Sequence, residues 1–147
     1  MKTINMNKYI FTISSKIIVD GDTNLTELTT VGKYSRVNNK WVMMYDEIID
    51  DTSSKVCTVI RVTDDAVSIT RNGDESSRIM IQLDKRNMCH YRTDYGELMM
   101  GVYCSEIKNE LNQNGGEIKM IYTLDVNASV FSKNEVTIKV REVKPNV

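Results

Sequence analysis

The chain has one proline, Pro145 in its tail, and only seven glycines. Without a Pro/Gly-rich stretch nothing marks a linker, and 147 residues suit one domain, expected to span residues 1–147. A domain of this size buries roughly 70% of the surface its unfolded chain exposes, which is enough for a true core. There is one histidine, and the three cysteines, Cys57, Cys89 and Cys104, lie far apart with no CxxC pair. A structural zinc site is therefore not expected, nor any other metal or cofactor. Free buried thiols in a reducing compartment are the simpler expectation. No apolar run reaches the ~20 residues of a membrane span. The opening segment MKTINMNKYIFTISSK has no apolar stretch long enough for a signal peptide, because Ser14, Ser15 and Lys16 interrupt it. A cytoplasmic protein with no membrane partner is expected. Neither sign of charge dominates: 19 Lys+Arg face 20 Asp+Glu, for a net charge of -1. That balance exerts no long-range pull on nucleic acid or on an acidic membrane.

What the sequence does have is a period of two. Short runs rich in Val, Ile, Thr, Tyr and Met alternate with polar residues, and turn residues separate them. Tyr9–Val19 predicts a first strand, ended by Asp20-Gly21-Asp22. Leu25–Arg36 predicts a second, with Gly32 marking a bulge or bend. Asn38-Asn39 suits a two-residue hairpin turn, since Asn tolerates positive φ. Lys40–Ile48 carries apolar groups on both faces, which predicts a strand covered on both sides. Asp50-Asp51-Thr52-Ser53 is a polar loop. Lys55–Thr63 follows, with Val56, Thr58, Ile60 and Val62 on one face. Asp64-Asp65 leads into Ala66–Arg71, and Asn72-Gly73 is the strongest short hairpin signal in the chain. Ser77–Leu83 and Asn87–Thr93 are the next two strands.

Two long segments then face each other across Asn114-Gly115-Gly116. The second, through Val126, alternates strictly. In the first, Ser105–Asn114 also fits a short helix capped by Ser105. The strand character of its partner favours extended structure. Phe131–Val143 closes the series, with Val136, Ile138 and Val140 facing inward. About ten strands with short connections predict an all-β fold, a single antiparallel up-and-down β-barrel of about 8–10 strands. Closure removes the exposed edges that invite aggregation.

Several residues in these segments form a recognisable set. They are Thr93-Asp94-Tyr95-Gly96, Leu98 through Tyr103, and Gly115-Gly116-Glu117 with Tyr122 and Leu124. Gly32-Lys33-Tyr34 and Tyr45-Asp46-Glu47 extend it. On these residues the chain resembles the YwiB-like family of small bacterial proteins of unknown function, over roughly Ile10 to Val140. The family pattern usually has proline where this chain has Asp94, which removes one source of rigidity from that turn. The resemblance implies a calycin-like barrel, similar in outline to lipocalins and fatty-acid-binding proteins. It brings no substrate and no catalytic residue.

Nothing in the residues assembles a catalytic site. His90 is flanked by Cys89 and Tyr91, which point to the other face of a strand, so no local Cys/His pair exists. Gly115-Gly116 precedes a strand, not a helix, and is a turn rather than a phosphate loop. Lys33, Tyr34, Arg36, Lys40 and Trp41 interleave basic and aromatic residues, as a single-strand stacking platform does. Hairpin surface plus core explains them more simply, and nucleic acid is not the expected partner. Met88, His90 and Arg92 share one strand face, Cys89 and Tyr91 the other, and alternation does not say which face is inside. An inward Arg92 would need a carboxylate, water or an anionic head group. The candidate ligand contacts are His90, Arg92, Tyr122, Tyr45 and Trp41. The expected function is non-enzymatic: binding of a small hydrophobic or amphipathic ligand in the barrel, as a monomer or homodimer. The alternative is a structural or protein-interaction barrel with a filled core.

Overall fold

A computed structural model describes residues 8–49, 54–73, 77–93 and 96–143, and almost all of them are strand. The strands are β1 (Tyr9–Val19), β2 (Asp22–Val37), β3 (Lys40–Ile49), β4 (Ser54–Val62) and β5 (Ala66–Asn72). They continue as β6 (Ser77–Gln82), β7 (Arg86–Thr93), β8 (Gly96–Asn112), β9 (Gly115–Val126) and β10 (Ser129–Glu142). All ten belong to one sheet in the order β6-β5-β4-β3-β2-β1-β10-β9-β8-β7, and every ladder is antiparallel. The first and last strands therefore lie side by side in the middle. The two outer strands, β6 and β7, are consecutive in the chain and meet at the turn 83–85. Leu83 bridges to Cys104 of β8, and the Asp84 N–H donates to the Cys104 carbonyl at 2.8 Å. These contacts bring the outer strands together into a nearly closed barrel, as the meander pattern predicts.

The turns follow from residues that tolerate positive φ. Asn38 and Asn39 lie at φ 52° and 67°, and join β2 to β3 in the two-residue hairpin expected of them. The Asn72-Gly73 signal works differently. Asn72 stays in β5 opposite Cys57, and the link to β6 runs on through residues 74–76, which lie outside the described residues. The polar loop at Asp50-Asp51 also lies outside them. Ser105 is neither a helix cap nor an ordinary strand residue. It is the extra residue of a bulge between Cys104 and Glu106, and β8 stays extended through Asn112. A second bulge falls at Phe131. Each extra residue switches which alternate positions face inward.

Inside the barrel the middle layer is packed. Phe11, Met43, Ile60, Val62, Val67, Ile81, Val102, Cys104, Ile118, Met120 and Ile138 are at most 2% exposed. Burying each large apolar side chain of this kind stabilises by about 1.5–3 kcal/mol. The end that holds the β2–β3, β4–β5 and β8–β9 turns is closed by aromatic rings. Tyr34 stacks on Trp41 with centroids 5.3 Å apart, Tyr9 tilts against Tyr34 at 5.1 Å, and Arg36 lies 4.6 Å over the Trp41 ring. The Tyr34 hydroxyl donates to the Asn112 carbonyl at 2.8 Å, tying β2 to the β8–β9 turn. Strand β3 is covered on one face only. Trp41, Met43 and Tyr45 are buried, while Met44 on the other face is 40% exposed.

The sheet splits at Gly32. Below it, Lys33–Val37 pairs with Met44–Lys40 of β3. Above it, β2 follows β1, from Gly32↔Tyr9 to Asp22↔Val19, and leaves β3. The two strands approach so closely at the fork that a Cβ on Gly32 would overlap the Met44 carbonyl oxygen.

Candidate functional site

The upper half of the barrel interior is built differently from the lower. Register fixes which residues face in. Tyr45 lies opposite Thr58 on β4, Thr58 opposite Arg71 on β5, and Glu47 opposite Val56. Arg71 thus shares the inward parity of Val67 and Ile69. Across the barrel, Tyr122 of β9 pairs with Asn134 of β10, and Leu124 with Ser132. Asn134 and Ser132 are 5% and 4% exposed and bonded to each other at 3.1 Å. Polar side chains therefore gather at the end away from the aromatic plug.

These groups are electrostatically connected. The Thr58 hydroxyl is 3.3 Å from Glu47 Oε1 and donates to it, and Thr58 lies directly opposite Tyr45 in the β3–β4 ladder. Arg71 Nη2 is 3.8 Å from the same Glu47 oxygen. That separation is an ion pair but too long for a hydrogen bond. Among the described residues no hydrogen bond occupies the Arg71 guanidinium, and its side chain is 55% exposed. Burial, followed by the Glu47 charge, pushes the Tyr45 hydroxyl up to about 12, while Arg71 and Thr58 act in the opposite sense. Burial also raises the Tyr122 hydroxyl, again opposed by Arg71. One guanidinium on β5 therefore lies within electrostatic reach of tyrosines on β3 and β9, strands that are not its neighbours.

Several apolar residues of the inward face are only partly buried. Ile69, Ile79, Tyr122 and Leu124 pack against the core yet keep access to solvent. At the other end the aromatic plug removes such access. The surface also carries two depressions. One, about 360 Å³, is lined by Arg36, Asn39, Trp41, Val62, Thr63, Asp64, Asp65 and Asn109 beside the plug. The other, about 430 Å³, lies on the outer face of β1, β2, β9 and β10. Neither is the barrel interior.

Of the five residues singled out by sequence, two, Tyr45 and Tyr122, feel the charge of the same Arg71 guanidinium. Trp41 is in the aromatic plug at the opposite end. With Tyr34 buried beside it, the basic-aromatic hairpin offers no accessible stacking platform. His90 points outward. It is exposed, as is Met88, and its Nδ1 is 3.3 Å from Glu97 Oε1 on β8. Cys89 takes the inward position at 6% exposure, which decides the face left open by alternation and removes His90 from the interior. The Arg92 side chain lies outside the described residues, although its backbone continues β7. The residues that sequence reasoning missed are Arg71, Glu47, Ser132 and Asn134. The available signal for Arg71 was parity: it sits two residues beyond Ile69 in Val67–Ile69–Arg71. Burial raises the Cys89 and Cys104 thiols, and all three cysteines are free.

Comparison with known proteins agrees with this architecture. The profile of a domain of unknown function, DUF1934, matches residues 11–138. The uncharacterized beta-barrel protein YwiB of Bacillus subtilis is 25% identical over 126 residues, which are 86% of this chain and 87% of that protein. Its crystal structure superimposes with a TM-score of 0.81 at 23% identity, covering 94% of this chain and 93% of the other. No helix among the described residues is long and apolar enough to cross a membrane. The chain belongs to the DUF1934 family.

Proposed function

We propose that this member of the DUF1934 family is a non-catalytic binding module for a small amphipathic molecule with an anionic head, taken into the upper mouth of the barrel. The observation that supports it is the Arg71 guanidinium, on an inward-facing position with no hydrogen bond from the described residues. Guanidinium groups recognise carboxylates and phosphates through paired N–H donors. The Tyr122 and Tyr45 hydroxyls lie within its electrostatic reach and would help orient such a head. Ile69, Ile79 and Leu124 supply an apolar wall for the tail. An apolar wall with a few convergent polar groups is how small-molecule sites are generally built. In this reading the barrel acts in the manner of calycin-like carriers, in the reducing cytoplasm where Cys57, Cys89 and Cys104 stay free.

Native mass spectrometry of protein purified from its own host tests the proposal, with a co-purifying acidic amphiphile as the expected result. Titration with anilinonaphthalene sulfonate, an anionic amphiphile, gives the second readout. Arg71→Ala should weaken saturable probe binding roughly tenfold or more, as loss of a charge-assisted contact would. No co-purifying molecule together with no saturable probe binding overturns the proposal.

A further inference from the structure

The fork at Gly32 leaves one edge of β2 without a neighbour among the described residues. Among the described residues, the stretch from Asp22 to Val31 pairs with β1 on one side and with nothing on the other. A strand edge of this length presents a row of unpaired N–H and C=O groups, which natural proteins normally cover or blunt. This one carries no proline and no lysine, the usual protections. It also shows its apolar side chains: Leu25 is 76% exposed, Leu28 42% and Val31 50%.

We propose that this edge is the dimerisation surface of the protein, occupied by the same edge of a second copy in antiparallel pairing about a twofold axis. The sequence of the edge carries the argument. Antiparallel partners point to the same face, so a residue pairs with another of its own parity. A register centred on Leu28 sets Leu28 opposite Leu28, Leu25 opposite Val31, Thr26 opposite Thr30, and Glu27 opposite Thr29. Every apolar residue then meets an apolar residue, and the two Glu27 carboxylates are kept apart. A shift to a Glu27 centre would place two glutamates face to face, and a Thr26 centre would place Leu25 against Glu27. Threonine pairs and apolar pairs across strands are favourable, whereas like charges directly opposite are not. A self-complementary strip of this kind is what an isologous interface requires. Backbone pairing across the edge supplies the affinity, as in other strand-addition complexes.

Sedimentation velocity of the full chain from micromolar to millimolar concentration tests this independently of any ligand. The wild type should associate to a dimer. Leu28→Lys and Leu28→Glu should each raise the dimer dissociation constant roughly tenfold or more, since each juxtaposes like charges on the axis. An equimolar mixture of the two should recover association. Leu25→Lys changes a side chain already in solvent, so it weakens the dimer without risk to the monomer fold. Circular dichroism melts confirm that each variant is folded. A wild type monomeric at millimolar concentration overturns the proposal. So does a dimer indifferent to charge at residues 25 and 28, or a Lys/Glu mixture that fails to associate.

Discussion

Gly32→Ala perturbs the point where β2 leaves β3, and the structure sets the size of the effect. An alanine Cβ there would lie 2.7 Å from Phe11 Cε2, 3.0 Å from Tyr45 Cβ, and well inside contact with the Met44 carbonyl oxygen. The carbonyl belongs to the β3 backbone, and Phe11 is fully buried, so neither neighbour gives way cheaply. Relief requires β2 and β3 to separate near the Lys33↔Met44 pair. Losing a ladder hydrogen bond costs about 1 kcal/mol. Overpacking a tight core adds about 1–3 kcal/mol. The total is therefore about 3 kcal/mol. With an unfolding entropy of about 2.1 cal/mol/K per residue over 147 residues, the melting temperature should fall by about 10 °C. Differential scanning calorimetry measures it. Gly21→Ala is the control: nothing lies within 4 Å of its Cβ position, but its φ of +82° strains any L side chain. Its cost should be only about 1 kcal/mol. If Gly32→Ala costs no more than Gly21→Ala, the close approach of the two strands at the fork is refuted.

Three further outcomes are expected. Arg86 Nε donates to Asp125 Oδ2 at 3.0 Å across Gly101 on the outer face, and this partner holds the Asp125 carboxyl below its usual range. A depressed folded value means the contribution is complete above the unfolded value of about 3.9 and is lost as pH falls through the folded one. The stability gap between wild type and Asp125→Asn should thus be widest near neutrality and shrink in acid, as urea midpoints across that range would show. Tyr34→Phe removes the donor to the Asn112 carbonyl and should cost about 1 kcal/mol in urea unfolding, with the Trp41 stacking preserved in the near-ultraviolet dichroism. Ala128 is held at φ 68° in the β9–β10 turn, so Ala128→Gly should relieve that strain and raise stability by about 0.5 kcal/mol, a small upward shift of the melting midpoint.

Alternation alone determined most of the architecture. The strict period of two located the strands, Asn38-Asn39 and Gly115-Gly116 located reversals, and the odd-even pattern sorted β4 and β6 into two faces and assigned the inward face of β10. These signals are local, because side-chain direction in a strand depends only on parity. Tertiary structure alone decided the rest. In β7 the two faces are chemically alike, Met88 and His90 against Cys89 and Tyr91, so only the closed barrel could choose Cys89 for the interior. The bulges at Ser105 and Phe131 reset parity where no glycine or proline announces them. Arg71 comes within electrostatic reach of Tyr45 and Tyr122 because β3, β5 and β9 belong to one nearly closed barrel, a relation between distant segments that no local pattern contains. The edge of β2 that no described residue pairs likewise exists only because Gly32 lets two strands meet and then part, which depends on what packs against it rather than on its own sequence.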